Sequence, residues 1–148
     1  MYRLRPEVLE YDKADFPHSN DISHLSNSAI RLSEKLFSPL DAEYPELEND
    51  IAAFRRSIQE YRNAGRIGSQ QAGAGMELYR RMKLIMEERE RRQSSLNEVR
   101  RREMIALDEG RSEEKRSFFM REAQRQWTEY TGQVRPLIEH LIRQLEIY

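Results

Sequence analysis

The chain has 148 residues, 25 Lys/Arg, 26 Asp/Glu and a formal net charge of −1; 38% of its residues are hydrophobic and 34% charged, against about 45–50% and about 25% in an average soluble domain. That thin apolar supply, over this length, fits one compact domain or one elongated hairpin. With no cysteine there are no disulfides, no thiolate metal sites and no cysteine nucleophile, which fits a reducing compartment.

Charge is unevenly placed. Residues 1–60 hold 7 basic and 12 acidic side chains, and 61–148 hold 18 and 14, so the halves attract each other or partners of opposite sign. No signal peptide is visible at the N-terminus, and no apolar run approaches the roughly 18 residues of a membrane span. The expectation is a soluble intracellular protein, cytoplasmic or nuclear.

In chain order, residues 1–22 mix Tyr2, Leu4, Val8, Leu9, Tyr11 and Phe16 with Pro6 and Pro17, which predicts a partly ordered arm that docks on its own helices or on a partner. Ser23 is the expected cap of a short helix ending at Ser38-Pro39. A firmer helix is expected over 42–64. Its apolar positions Tyr44, Leu47, Ile51, Phe54, Ile58 and Tyr61 step by 3, 4, 3, 4 and 3, a narrow heptad seam suited to packing on one other helix. Gly65, Gly68, Gly73 and Gly75 then predict an inter-helix loop over 65–75; the phosphate-cradling motif GxxxxGK[ST] is absent.

From Met76 the helical pattern resumes and is expected to run to Thr131. A heptad frame started at Leu78 meets apolar or aromatic residues at 13 of 21 positions through Tyr148. The frame persists across Gly110, which favours one continuous helix over a turn at DEGRS. Residues 87–95, EERERRQSS, contain no apolar side chain at all. A helix segment polar on every side is solvent-bridging or pressed against another polar surface. Arg89 and Arg92 fall on the seam itself, and are expected to meet acidic partners or water and to set register. Thr131-Gly132 and Pro136 predict a kink or break. The last segment, 132–148, has the widest apolar face, with Leu137, Ile138, Leu141, Ile142 and Leu145.

The expected fold is therefore all-α, an elongated helical hairpin or coiled coil with one long helix and an amphipathic C-terminal helix. No serine sits in a sharp glycine turn beside a base, and the three histidines form no ligand set, so no catalytic residue, cofactor or metal is assigned. The expected interface comprises Tyr44, Leu47, Ile51, Phe54, Ile58, Tyr61, Leu96, Val99, Phe118, Phe119, Trp127, Leu137, Ile138, Leu141 and Leu145. These faces point to a non-enzymatic scaffold or adaptor subunit that binds protein partners or further copies of itself.

Two alternatives belong to other classes. Arg100-Arg101-Arg102 is a basic knot suited to nucleic acid, although residues 76–122 hold 13 basic and 11 acidic side chains, too even a mixture for a phosphate-binding surface. Segment 118–130, with Phe118, Phe119, Trp127, Arg121 and Arg125, has the make-up of a peripheral membrane contact.

Overall fold

A computed structural model describes residues 12–108 and 113–147. Among these described residues four helices follow one another: α1 (Asp12–Leu36), α2 (Leu47–Asn63), α3 (Ser69–Asp108) and α4 (Glu113–Glu146). The fold is all-α.

Each helix buries a stripe of its own. On α1 it is Ile22, Leu25, Ala29, Leu32 and Leu36; on α2, Leu47, Ile51, Phe54 and Ile58; on α3, Ala72, Leu78, Met82, Ile85 and Met86; on α4, Trp127, Ile138, Leu141, Ile142 and Leu145. Spacing by three and four puts each set on one face, which burial holds in place. Tyr61 hydrogen-bonded to His24 and Lys35 beside Asp50 make α2 antiparallel to α1. Gly75 lies against Ile58 while Tyr44 and Leu47 lie near Met86, so α3 runs antiparallel to α2. Gln71 donates to the Ile147 carbonyl and Arg92 stands over Tyr130, so α4 runs antiparallel to α3. The result is an up-down-up-down bundle in which α1 and α3 touch all other helices and α2 and α4 do not touch each other.

Several boundaries differ from the sequence expectation, each for a physical reason. Helix α1 already includes Asp12, the first described residue, inside the expected arm, and Ser23 is an exposed interior residue and no cap. The apolar stripe starts one residue earlier, at Ile22, and its burial carries the helix past the polar residues before it. Residues 1–11, the rest of that arm, lie outside the described residues. Helix α2 starts after Pro45, leaving Tyr44 in the connection, and its seam packs on two helices, not one.

The glycine-rich loop is only a turn. Gly65 has φ +71°, the Gly65 N–H donates to Arg62 and the Arg66 N–H to Tyr61, which is a Schellman C-cap on α2. Helix α3 then starts at Ser69 and runs through Gly73 and Gly75. A Cβ on Gly75 would stand 2.9 Å from Ile58 Cδ1, so this glycine lets α2 and α3 approach closely; it does not end a helix.

The continuous helix expected over 76–131 is two helices. Helix α3, described to Asp108, and helix α4, described from Glu113, run antiparallel; Gly110, in the DEGRS segment, lies outside the described residues. Conversely, no break occurs at Gly132 or Pro136, both inside α4. Pro136 lacks the N–H that would bond the Gly132 carbonyl, and both residues are on the exposed side, where water can serve that carbonyl.

Candidate functional site: the distal arm of α3 and α4

Above the four-helix part, α3 and α4 continue as a two-helix arm. Its base is fixed by Arg89. This guanidinium is 2% exposed, and Nη1 donates to the carbonyls of Leu36 (3.1 Å) and Ser38 (2.6 Å) while Nη2 donates to those of Pro39 (2.8 Å) and Ala42 (2.7 Å). Leu36 ends α1, so the charge sits where the carbonyl end of a helix dipole favours a cation. The rings of Trp127 and Tyr44 lie 5.6 and 5.8 Å from its carbon. Burial pulls its pKa below the ordinary arginine value, opposed by Tyr44 and Asp41.

Three neighbours hold the same connection. Gln93 donates to the Leu40 and Ala42 carbonyls, both at 2.9 Å. The Trp127 indole N–H donates to Ser38 (2.9 Å), and Gln124 Oε1 accepts from the Leu40 N–H (2.9 Å). One face of the polar stretch 87–95, that of Arg89 and Gln93, is thus pressed against a polar surface, which is backbone, while Glu90, Arg91, Ser94 and Ser95 face solvent. Arg89 gives its hydrogen bonds to four carbonyls and not to the acidic partner expected at a seam position. Arg92 bonds Glu88 at 2.6 Å within α3 and stacks over Tyr130 at 5.0 Å.

Beyond this clasp the α1–α2 connection turns away and the face of α3 and α4 opens. A groove of about 470 Å³ begins at Leu40 and runs between Leu96 and Val99 on one side and Phe119 and Ala123 on the other. Phe118, 56% exposed, and Phe119, 45% exposed, meet edge to face with centroids 5.7 Å apart; Met104 is 51% exposed. Large apolar side chains standing together in water mark a contact surface.

Most of the expected interface lies inside the chain. Leu47, Ile51, Phe54, Ile58, Leu96, Trp127, Ile138, Leu141 and Leu145 are buried, and Tyr44, Tyr61 and Val99 are half-buried. Only Phe118, Phe119 and Leu137 are exposed. Trp127 anchors the α1–α2 connection instead of a bilayer or a partner. Sequence periodicity marks a side chain as buried without saying by what, so it could not separate these two groups; Gln93 and Gln124, which the clasp needs, carry no apolar signal at all.

The electrostatics of the surface are those of helix stabilisation. Arg80 and Arg81 hold Glu77 below its usual carboxylate range, Arg92 and Arg91 do so for Glu88, and Arg101 for Glu98. Arg125, followed by Gln126, holds Glu122 down to about 2. All are displaced in the direction opposite to that of a general acid. Glu98 accepts from Arg101 at 2.5 Å and lies 3.4 Å from Arg102, matching two members of the basic knot with a carboxylate. Among the described residues no helix is long and apolar enough to cross a membrane.

No protein-family model, no curated protein and no solved structure matches the chain.

Proposed function

We propose that the chain is a non-enzymatic scaffold or adaptor subunit acting inside the cell, joined to a larger protein assembly by coiled-coil-like packing on the distal arm. The observation that supports this reading is the exposed pair Phe118 and Phe119 at an open groove lined by Leu96, Val99, Phe119 and Ala123 together with Glu88, Arg91, Arg92 and Glu122, on a part of the molecule that has two helices where the rest has four. Interface centres are rich in aromatic side chains whose burial excludes water. The test is affinity capture from the native source with wild type and with Phe118→Glu/Phe119→Glu. Protein partners that co-purify with the first and are lost from the second support it; an identical set of partners removes the arm from the mechanism.

The nucleic-acid and membrane readings rest on weaker ground. Glu98 offsets the arginine knot, and Arg125 lies between Glu122 and Glu129, at 2.7 Å from the latter, so neither region presents the surplus positive charge that phosphate or anionic lipid requires.

A further inference from the structure

We propose that the distal arm of α3 and α4 pairs with the same arm of a second copy of this chain, so that two two-helix arms complete one four-helix bundle. This deepens the assembly reading above and rests on it.

Continuity of packing comes first. Below Leu40, α1 and α2 complete a bundle around α3 and α4. Above it, the groove is the continuation of that packing with two helices missing. A second arm supplies two. The patch is also self-complementary, as a two-fold interface must be. It carries a projection, Phe118, and beside it a groove of about 470 Å³ that offers Leu40, Leu96, Val99, Phe119 and Ala123 as apolar contacts between the charged side chains that also line it. Phe118 stands one turn from Glu122, which lines that groove. A two-fold axis through the patch places each copy's Phe118 at the other's groove.

Charge selects this occupant over a polyanion. Residues 96–126 hold 8 basic and 7 acidic side chains, so two arms meet without net repulsion while nucleic acid or anionic lipid gains almost nothing. Geometry fixes the orientation. Because α1 stands on the same side below Leu40, arms laid parallel would drive the two bundles into each other, so the copies meet from opposite directions. From Leu96 to Asp108 the arm spans ~18 Å, and two helices are about 20 Å wide. The pair buries on the order of 400 Å² per copy, below the standard interface, so the dimer is reversible and concentration-dependent.

The experiment is sedimentation velocity on the full chain over roughly 1 to 300 µM. The weight-average mass is expected to rise from 17.7 kDa towards twice that value. Phe118→Glu/Phe119→Glu is expected to weaken self-association at least tenfold with unchanged circular dichroism, since both side chains are exposed. Leu84→Glu, at an exposed site beside the bundle, is expected to leave it intact. Nitroxides on Asn97→Cys are expected to couple between copies, and those on His140→Cys are not. Monomeric behaviour throughout, or a dimer indifferent to the double substitution, overturns the inference. If the wild type stays monomeric and the double variant loses a different co-purifying chain, the second-copy inference falls and the assembly reading stands. If it neither self-associates nor loses any partner, both fall.

Discussion

Arg89 shows how one polar side chain can organise a small helical protein. Five guanidinium N–H groups in a fixed fork suit several carbonyls at once, whereas a lysine ammonium offers three donors around one point. Arg89→Ala leaves the Leu36 carbonyl without its side-chain donor and takes one of two donors from the carbonyls of Ser38, Pro39 and Ala42, and is expected to cost about 3 kcal/mol. Arg89→Lys should recover less than half of that. Urea denaturation followed by Trp127 fluorescence measures both, because the sole tryptophan is buried against the same connection. The glycines of α3 offer a matched pair. A Cβ at Gly73 meets nothing within 4 Å, and Gly73→Ala should stabilise by up to about 1 kcal/mol. At Gly75 the same substitution presses on buried Ile58 and should fall short of Gly73→Ala by at least about 1 kcal/mol; equal effects would mean that α2 and α3 are not held close there.

At the scale of elements, the arm and the bundle use the same two helices under different cover. The buried residues Leu78, Met82, Ile85 and Met86 of α3 belong to the shared core, whereas beyond Leu96 the half-buried Val99 lines an open groove with Leu40 and α4 residues. Amide hydrogen exchange is therefore expected to be faster in 97–107 than in 78–92 for the isolated monomer, and uniform protection along α3 would contradict that division. Arg125 holds Glu122 at about 2 from an ordinary 4.5. For a carboxylate with a depressed folded pKa, the contribution is present above the unfolded value and lost as pH falls through the folded one. The stability difference between wild type and Glu122→Gln should thus be constant above about pH 5 and vanish between about pH 4.5 and 2. It should be small throughout, since the pair is solvent-exposed, and an NMR titration of the Glu122 carboxyl with a midpoint near 4.5 would show that the pair does not form in solution. Helix α4 also shows that a proline need not end a helix when its orphaned carbonyl faces water and buried Thr131 and Ile138 hold the other side.

As a whole molecule the chain is a bundle with a two-helix extension. Helix α3 has 40 residues, about 60 Å at ~1.5 Å per residue, whereas a compact chain of this length has a radius of gyration of about 15 Å. Small-angle scattering from the monomeric double variant should give a larger radius and a maximum dimension above about 60 Å. A globular profile would mean that the arm folds back on the bundle. The overall charge balance matters at this scale as well, since the near-neutral arm leaves association to apolar contact. Self-association is accordingly expected to change little between low and high salt, whereas nucleic-acid binding through Arg100–Arg102 would fall steeply.

Fold class was legible in the sequence because burial on a helix repeats every three to four residues. The stripes Leu47–Ile58, Leu78–Ile85 and Ile138–Leu145 that the spacing picks out are buried as such. The all-polar run 87–95 was legible too, as a segment needing a polar surface. Which surface it meets was decided by tertiary structure, because the four carbonyls that receive Arg89 belong to residues 47 to 53 positions away and backbone carbonyls are the same in every sequence. The heptad frame across Gly110 misled for a related reason: it records which side of a helix is apolar, and that side is the same whether the chain runs straight on or turns back to pack on itself. Periodicity thus supplied the helices and their faces; the direction of each helix, and with it the difference between a core tryptophan at 127 and an exposed phenylalanine pair at 118 and 119, arose only when the faces met.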